Sequence, residues 1–250
     1  MVKVIGFSDP HGILPKIDEE FDLLLIGGDI CPAWDHFYDF QHQWMMDKFV
    51  PWVKSLPFKD GASKVVFIGG NHDVYLFKEP KPDGEGYSNM WKDILNPAGG
   101  RLVYLEDDEF IYESPEGETL KIYGTPWCKV FGRWWFMLKD DKLKLAYDQI
   151  PEGVDILLTH DQPAILDCGI ITQGAWAGTD ASNKFLGEAV KEKKPRWVLS
   201  GHIHSSNHEV REYEGIKLAC ISLVDEAYDP VYKPLAFEIE GHKSAEGGEE

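Results

Sequence analysis

The chain has 250 residues, a mass of 28.4 kDa and a formal net charge of −18. That length suits one large α/β domain with a full core, and the acidic balance weighs against long nucleic acid as a partner, though not against a small phosphorylated substrate gathered by bound cations. No apolar run reaches the length of a membrane span, and the four scattered cysteines form no C-x-x-C pair, which argues against a disulfide scaffold or a thiolate zinc site.

In chain order, Val2 to Phe7 forms a short apolar run that ends in Ser8-Asp9-Pro10-His11. An acidic residue by position 9 leaves no room for the apolar core of a signal peptide, so a cytoplasmic protein without a membrane association is expected. Phe21 to Ile26 runs into Gly27-Gly28-Asp29, and Lys64 to Ile68 into Gly69-Gly70-Asn71-His72-Asp73. Between them, residues 35–55 carry aromatics and Met at three- and four-residue spacings, which predicts a helix ahead of Pro57. Residues 78–89 read as a turn-rich loop, and residues 101–127 as two or three short strands with a turn at Pro115-Glu116-Gly117. A Trp-dense stretch follows from Trp127 to Phe136.

Val154 to Leu158 then runs into Thr159-His160, and Arg196 to Leu199 into Ser200-Gly201-His202-Ile203-His204. Residues 180–194 predict a helix with a capping residue at its start, lysines at its end and Pro195 as its stop. From Glu209 onward the pattern becomes that of antiparallel strands. Apolar runs bounded by Gly and Pro suit strands buried on both faces, and their alternation with helices implies a layered α/β sandwich with a mixed sheet. One domain over residues 1–240 is expected, with 241–250 as an acidic flexible tail.

Five strand ends thus deliver Asp9 and His11, Asp29, Asn71 and His72, His160, then His202 and His204. Ligands of open α/β sheets bind beyond the carboxyl ends of the strands, so these residues can converge although they are far apart in sequence. Carboxylate, imidazole and amide oxygen make a mixed N/O shell for two divalent cations, and a carboxylate can bridge two metals where a neutral imidazole cannot. Two cations ~3.5–4 Å apart can clamp a phosphate and generate a bridging hydroxide near neutral pH.

The ordered set D-x-H, G-D, G-N-H-D, H, G-H-x-H closely resembles the calcineurin-like metallophosphoesterase superfamily, from Asp9 to His204. The resemblance implies a four-layer α/β/β/α sandwich with mixed β-sheets. It also implies one metal on Asp9, His11, Asp29 and His204, with Asp29 bridging to a second on Asn71, His160 and His202. His72 would contact the phosphate or protonate the leaving oxygen, with Asp73 orienting it. Mn²⁺ or Fe²⁺ is the first expectation for the metals, with Zn²⁺, Ni²⁺ or Co²⁺ as alternatives.

Purple acid phosphatases carry a Tyr ligand where this chain has Pro32, and Ser/Thr protein phosphatases carry G-D-x-V-D-R-G where it has Gly-Asp-Ile-Cys-Pro-Ala-Trp. The Gly124-Thr125-Pro126-Trp127 segment, residues 159–167 and residues 221–228 are similar to the small metallophosphodiesterases related to the mammalian MPPED proteins, whereas Gln162 and the insertion at 169–178 depart from them. The implied activity is hydrolysis of a small nucleotide or cyclic-nucleotide diester. A phosphomonoesterase, a nuclease, or a non-catalytic scaffold for metal or nucleotide is the alternative. Trp127, Phe131, Arg133 and Trp134 are candidates for stacking on a base or meeting a phosphate, against the plain alternative that such aromatics pack a core.

Overall fold

The computed structural model describes residues 1–77 and 92–243. The strands in its first half are β1 (Val2–Phe7), β2 (Leu23–Ile26), β3 (Lys64–Phe67), β4 (Leu102–Tyr104), β5 (Asp108–Glu113), β6 (Glu118–Thr125), β7 (Cys128–Lys129) and β8 (Met137–Leu138). Those in its second half are β9 (Ile156–Thr159), β10 (Trp197–Ser200), β11 (Arg211–Tyr213), β12 (Ile216–Cys220), β13 (Leu235–Ile239) and β14 (His242–Lys243). One sheet has the order β13-β1-β2-β3-β4, with β1 to β4 parallel and β13 antiparallel at the edge. The other runs β11-β12-β10-β9-β6-β14, with β5 also paired to β6. Its centre, β12-β10-β9-β6, is parallel.

Alternation along the strands explains why the two sheets stack. Val2, Val4, Leu23, Leu25 and Val66 face one way, into a core completed from the other sheet by Ile122, Ile156, Leu158, Leu199 and Ile221. The odd-and-even partners Ile5, Phe7, Leu24, Ile26 and Phe67 face outward onto Met45, Phe49, Val50 and Val53 of a helical segment. In the second sheet Leu157, Val198 and Leu218 likewise face outward, onto Leu143, Tyr147, Leu186 and Val190. Strands apolar on both faces therefore sit between two helical layers, giving the four-layer α/β/β/α sandwich. Each fully buried aliphatic side chain contributes roughly 1.5–3 kcal/mol.

The first helical layer is α1 (Tyr38–Trp44) and α2 (Val50–Ser55), joined without a break through a wide π-helical turn at Met45–Phe49. Pro51 lacks an N–H and crowds the carbonyl one turn back, and the wide turn takes up the lost bond. The short α3 (Lys92–Leu95) follows. The second layer is α4 (Asp140–Asp148) and α5 (Lys184–Lys193).

Several sequence expectations shift. The helix expected from 180 starts at Lys184, because Asn183 accepts the N–H groups of Phe185 and Leu186, while Asp180 closes a tight turn onto Ser182 N. Helix α4 lies between Phe136 and Val154, where no regular element is predicted from the sequence. The expected tail boundary at 240 moves, since His242–Lys243 pairs with β6. The loop at 78–89 and residues 244–250 fall outside the described residues.

Candidate metal centre

Parallel register aligns the carboxyl ends of β1, β2 and β3 in one sheet and of β9 and β10 in the other. The sheets join at that edge, where Ser8 N donates to Ile221 O (2.7 Å) and Leu223 N to Ser8 O (2.9 Å). The five strand ends read from the sequence therefore meet in one place. Their backbones leave the strands sharply: Asp9 (φ 51°), His11 (43°), Asp29 (51°) and His202 (67°) all occupy the left-handed region. Each such residue costs about 1–3 kcal/mol, and strain of this kind concentrates at functional sites. Gly70 supplies room in the same way, since a Cβ there would lie 2.3 Å from Asp29 Oδ1.

Two clusters of donor atoms result, Asp9-His11-His204 and Asp9-Asp29-His160, all buried. His11 Nε2 and His204 Nε2 lie 3.1 Å apart. His204 Nε2 is 3.6 Å from Asp9 Oδ1. Asp9 belongs to both clusters, and Asp29 Oδ2, 3.5 Å from His160 Nε2 in its own cluster, also lies 3.8 Å from His11 Nε2 in the other. Asn71 Oδ1 is 3.0 Å from His160 Nε2. The His202 ring packs 5.0 Å from that of His160, and its N–H donates to Asp9.

The outward nitrogens are fixed by backbone carbonyls. His160 Nδ1 meets Gly27 O at 2.9 Å and His204 Nδ1 meets Asp225 O at 3.1 Å. Each bond places a proton on Nδ1 and turns Nε2 inward, the arrangement that prepares imidazole for a metal. The remaining oxygens are also held: Ser222 Oγ donates to Asp9 Oδ2 (2.7 Å) and His72 N to Asp29 Oδ1 (2.7 Å).

Electrostatics agree with a cation site. Burial opposes ionisation of Asp9, yet His204 and His160 hold it below the usual carboxylate range. Burial also opposes charge on His160, but Asp29 and Asp9 raise it to about 10. Burial pushes His11 down to about 3, helped by His204, and His202 down to about 4, helped by His160. Ionised carboxylates and the neutral imidazoles of His11 and His202 are the protonation states a metal requires, whereas His160 holds a proton that an entering cation would displace. Two imidazole nitrogens facing each other at 3.1 Å, with His11 Nδ1 buried and unpartnered, complete the fit. The clusters make a dinuclear divalent-metal site.

His72 stands beside this centre, its ring 5.0 Å from that of His11. The expected orienting role of Asp73 is corrected. Its carboxylate accepts three backbone N–H groups, from Cys31 (2.8 Å), Gly70 (3.0 Å) and Ile30 (3.1 Å), and so ties the loops after β2 and β3 together. Burial and the charge of Asp29 push it up to about 7. The group that meets His72 is His36, whose Nε2 lies 2.7 Å from His72 Nδ1, while Gln41 Nε2 donates to His72 O (2.7 Å). Sequence reading missed His36, which follows no apolar run.

The aromatic candidates divide. Trp127 is not at the mouth: its indole N–H donates to Asp107, and its ring packs 5.6 Å from Phe136 between the core clusters. Arg133 is exposed. Phe131 and Trp134 do reach the centre, Phe131 5.2 Å from the His202 ring and Trp134 4.5 Å from the His72 ring. Tyr228, not expected, lies 4.7 Å from His11 with its backbone at φ 64°.

A four-layer sandwich with two metal clusters at the joined strand ends defines a metal-dependent phosphoesterase. The chain belongs to the calcineurin-like phosphoesterase family, whose model matches residues 2–206. It is similar to the human metallophosphoesterase domain-containing protein 1, with 28% identity over 95% of this chain and 71% of that protein. It also matches a protein of Emericella nidulans named probable rhamnogalacturonate lyase C, at 24% identity over 92% of its own length, and spans only 19% of that protein. Among solved structures, the phosphopantetheinyl hydrolase of Mycobacterium tuberculosis shares the fold, with a TM-score of 0.51 and 13% identity over 90% of each chain. No helix of the described residues is long and apolar enough to cross a membrane.

Proposed function

We propose that this protein is a phosphodiesterase acting on a small nucleotide diester, close in kind to the metallophosphoesterase-domain proteins to which it is 28% identical. The observation that carries the reading is His72, an imidazole beside the two metal clusters but outside both, walled by Trp134 and Tyr228.

Asp9, His11, Asp29 and His204 would hold one cation and Asp29, Asn71, His160 and His202 the other, with Mn²⁺ or Fe²⁺ best suited to this mixed N/O set. When bound, the pair would neutralise the phosphate oxygens and lower the pKa of water at the site. The protein's own residues do the rest. Gly27 O and Asp225 O fix the tautomers of His160 and His204. A neutral His36, lowered by burial and by His72, places Nε2 2.7 Å from His72 Nδ1, where it accepts the Nδ1–H of a protonated His72. In its imidazolium form His72 then presents Nε2–H to the departing oxygen and returns to the neutral imidazole as it gives up that proton. The Trp134 face beside it excludes water and suits a planar base.

Stripping the protein with chelator should abolish hydrolysis of bis(p-nitrophenyl) phosphate, and Mn²⁺ or Fe²⁺ should restore it. A preparation that binds two equivalents of metal yet hydrolyses no diester under any of Mn²⁺, Fe²⁺, Co²⁺, Ni²⁺ and Zn²⁺ would overturn the assignment.

A further inference from the structure

Two cavities of about 470 Å³ each open beside the centre and share no lining residue. Trp34, Trp134 and Tyr228 wall the first, together with His11 and His72. Phe131, Ile171 and Trp176 wall the second, together with His202. The crevice over Asp29 and Asn71, about 230 Å³, shares His72, Trp134 and Tyr228 with the first cavity and Phe131 and His202 with the second. The crevice thus lies between the two aromatic compartments and borders each, with metal ligands on its walls.

The compartments are built rather than incidental. Trp34 is 72% exposed, Trp176 71% and Phe131 58%, so these rings have little protein packed on them. Trp176 closes a helical turn at Gly174–Trp176, and its segment is pinned by Ile171 N to Thr179 O (3.0 Å) and Gly178 N to Ile171 O (2.7 Å). The insertion at 169–178 is therefore a wall of the site. Among the described residues lining either cavity, Lys129 is the one cation, and its Nζ donates to Ser182 O. Apolar rings, not a basic track, supply the binding surface, as befits a chain of net charge −18.

We infer that the centre takes phosphodiesters joining two bulky planar groups, dinucleotide-like in chemistry, with one group in each cavity. This rests on the phosphodiesterase reading above. In an in-line displacement the leaving oxygen departs opposite the entering one, and the retained ester oxygen lies in the plane between them. The two organic arms therefore diverge from phosphorus and need separate compartments. His72 lines the first cavity, so that cavity holds the leaving arm. Water forms a P–O bond as the P–O bond to that arm breaks, and one water proton passes to solvent. The leaving oxygen takes the His72 Nε2 proton, which solvent replaces. The products are an alcohol and a phosphomonoester whose retained arm stays against Phe131 and Trp176.

The test uses the full chain loaded with Mn²⁺ and two diesters with the same leaving group, thymidine 5′-(p-nitrophenyl phosphate) and methyl p-nitrophenyl phosphate. The wild type should favour the thymidine ester in kcat/KM by tenfold or more. Trp176→Ala should reduce that preference about tenfold, the loss expected for one base–aromatic stack. The inhibition constant of thymidine 5′-monophosphate, the product with the retained arm, should rise in step. Trp176 is exposed, so the variant should fold, which circular dichroism checks. Equal kcat/KM for the two diesters, or a preference that survives Trp176→Ala unchanged, overturns the two-arm assignment and leaves the phosphodiesterase reading standing. Hydrolysis of neither diester by the wild type overturns both.

Discussion

Four aspartates lie at the strand ends of this fold with the same burial, yet they do different work. Asp9 and Asp29 follow β1 and β2, Asp22 and Asp155 precede β2 and β9, and all four are at most 1% exposed. At the amino ends the carboxylates meet permanent cations. Asp22 accepts Lys3 N (2.8 Å) and Lys59 Nζ (2.8 Å), and Asp155 accepts Lys121 N (2.8 Å) and an Arg196 N–H (2.8 Å). The two sheets use one device, a backbone amide from the adjacent strand plus a long side chain reaching in from the surface. At the carboxyl ends the partners are imidazoles, whose charge is conditional. A carboxylate closed by Lys or Arg is finished; one closed by histidines is completed by a cation. Burial alone does not distinguish the two, and the partner does.

Breaking the carboxyl end should have the largest effect on turnover. Asp29→Asn keeps an acceptor for His72 N but removes the charge between His11 and His160. Changes to residues that merely orient metal ligands cost about 10–100-fold, so a loss above about 100-fold in kcat/KM is expected, with fewer than two metal equivalents retained. Full occupancy and near-normal turnover would count against Asp29 as the shared ligand.

Metal uptake sharpens the same contrast. His160 is raised to about 10 by Asp29 and Asp9, against burial, so at pH 7 it carries a proton that an entering cation must displace. The apparent affinity of the stripped protein for Mn²⁺ should therefore tighten with pH, by up to about tenfold per unit for that one proton, levelling off near pH 10. Before metal enters, the sign for stability is the reverse. A raised imidazole pKa stabilises the fold fully below the unfolded value near 6.5, and that contribution fades as pH climbs through about 10. Calorimetry in buffers of different ionisation enthalpy counts the released proton; no release would refute the protonated His160.

A smaller effect is expected at His36, a positioning residue. His36→Ala should lower kcat about fivefold to tenfold with little change in KM, and should alter the alkaline limb of the kcat–pH profile. His36→Gln, which keeps an acceptor oxygen for His72 Nδ1–H, should recover most of the loss. A change confined to KM would mean that His36 shapes the cavity rather than orienting His72.

Much of this division was legible in the sequence, because position relative to an apolar run carries the distinction. Asp9, Asp29, Asn71, His160, His202 and His204 all come just after such runs, whereas Asp22 and Asp155 come at the head of theirs. A parallel strand buried on both faces leaves a clear signature, and its carboxyl end then marks the site. What failed to show was whatever depends on contact between distant loops. Asp73 adjoins His72 in sequence but turns into three amides of the neighbouring loops, and His36 fills the place assigned to it. Helix α4 buries only Leu143 and Tyr147 among its nine residues, too few to announce an amphipathic face. Trp127 and Trp134 are seven positions apart and look alike in sequence, yet an indole hydrogen bond to Asp107 draws one into the core.

The amino-end pairs supply the control with the least effect on chemistry. In Asp155→Asn the three donors now converging on the carboxylate, Lys121 N, Arg196 and His242 Nε2, would face one acceptor and an NH₂ group. Arg196 is partly exposed and can turn to water, whereas the part-buried Lys121 amide is fixed in β6, so stability should fall by about 1 kcal/mol, the low end of the range for a donor left unpaired. Asp155 lies at the far end of β9 from His160, so kcat and metal content should be those of the wild type once the protein is folded. Urea unfolding reads the first quantity and metal-loaded turnover the second. A drop in kcat without a shift in the unfolding midpoint would mean that the two ends of the sandwich are coupled, and that the amino-end carboxylates are more than clamps.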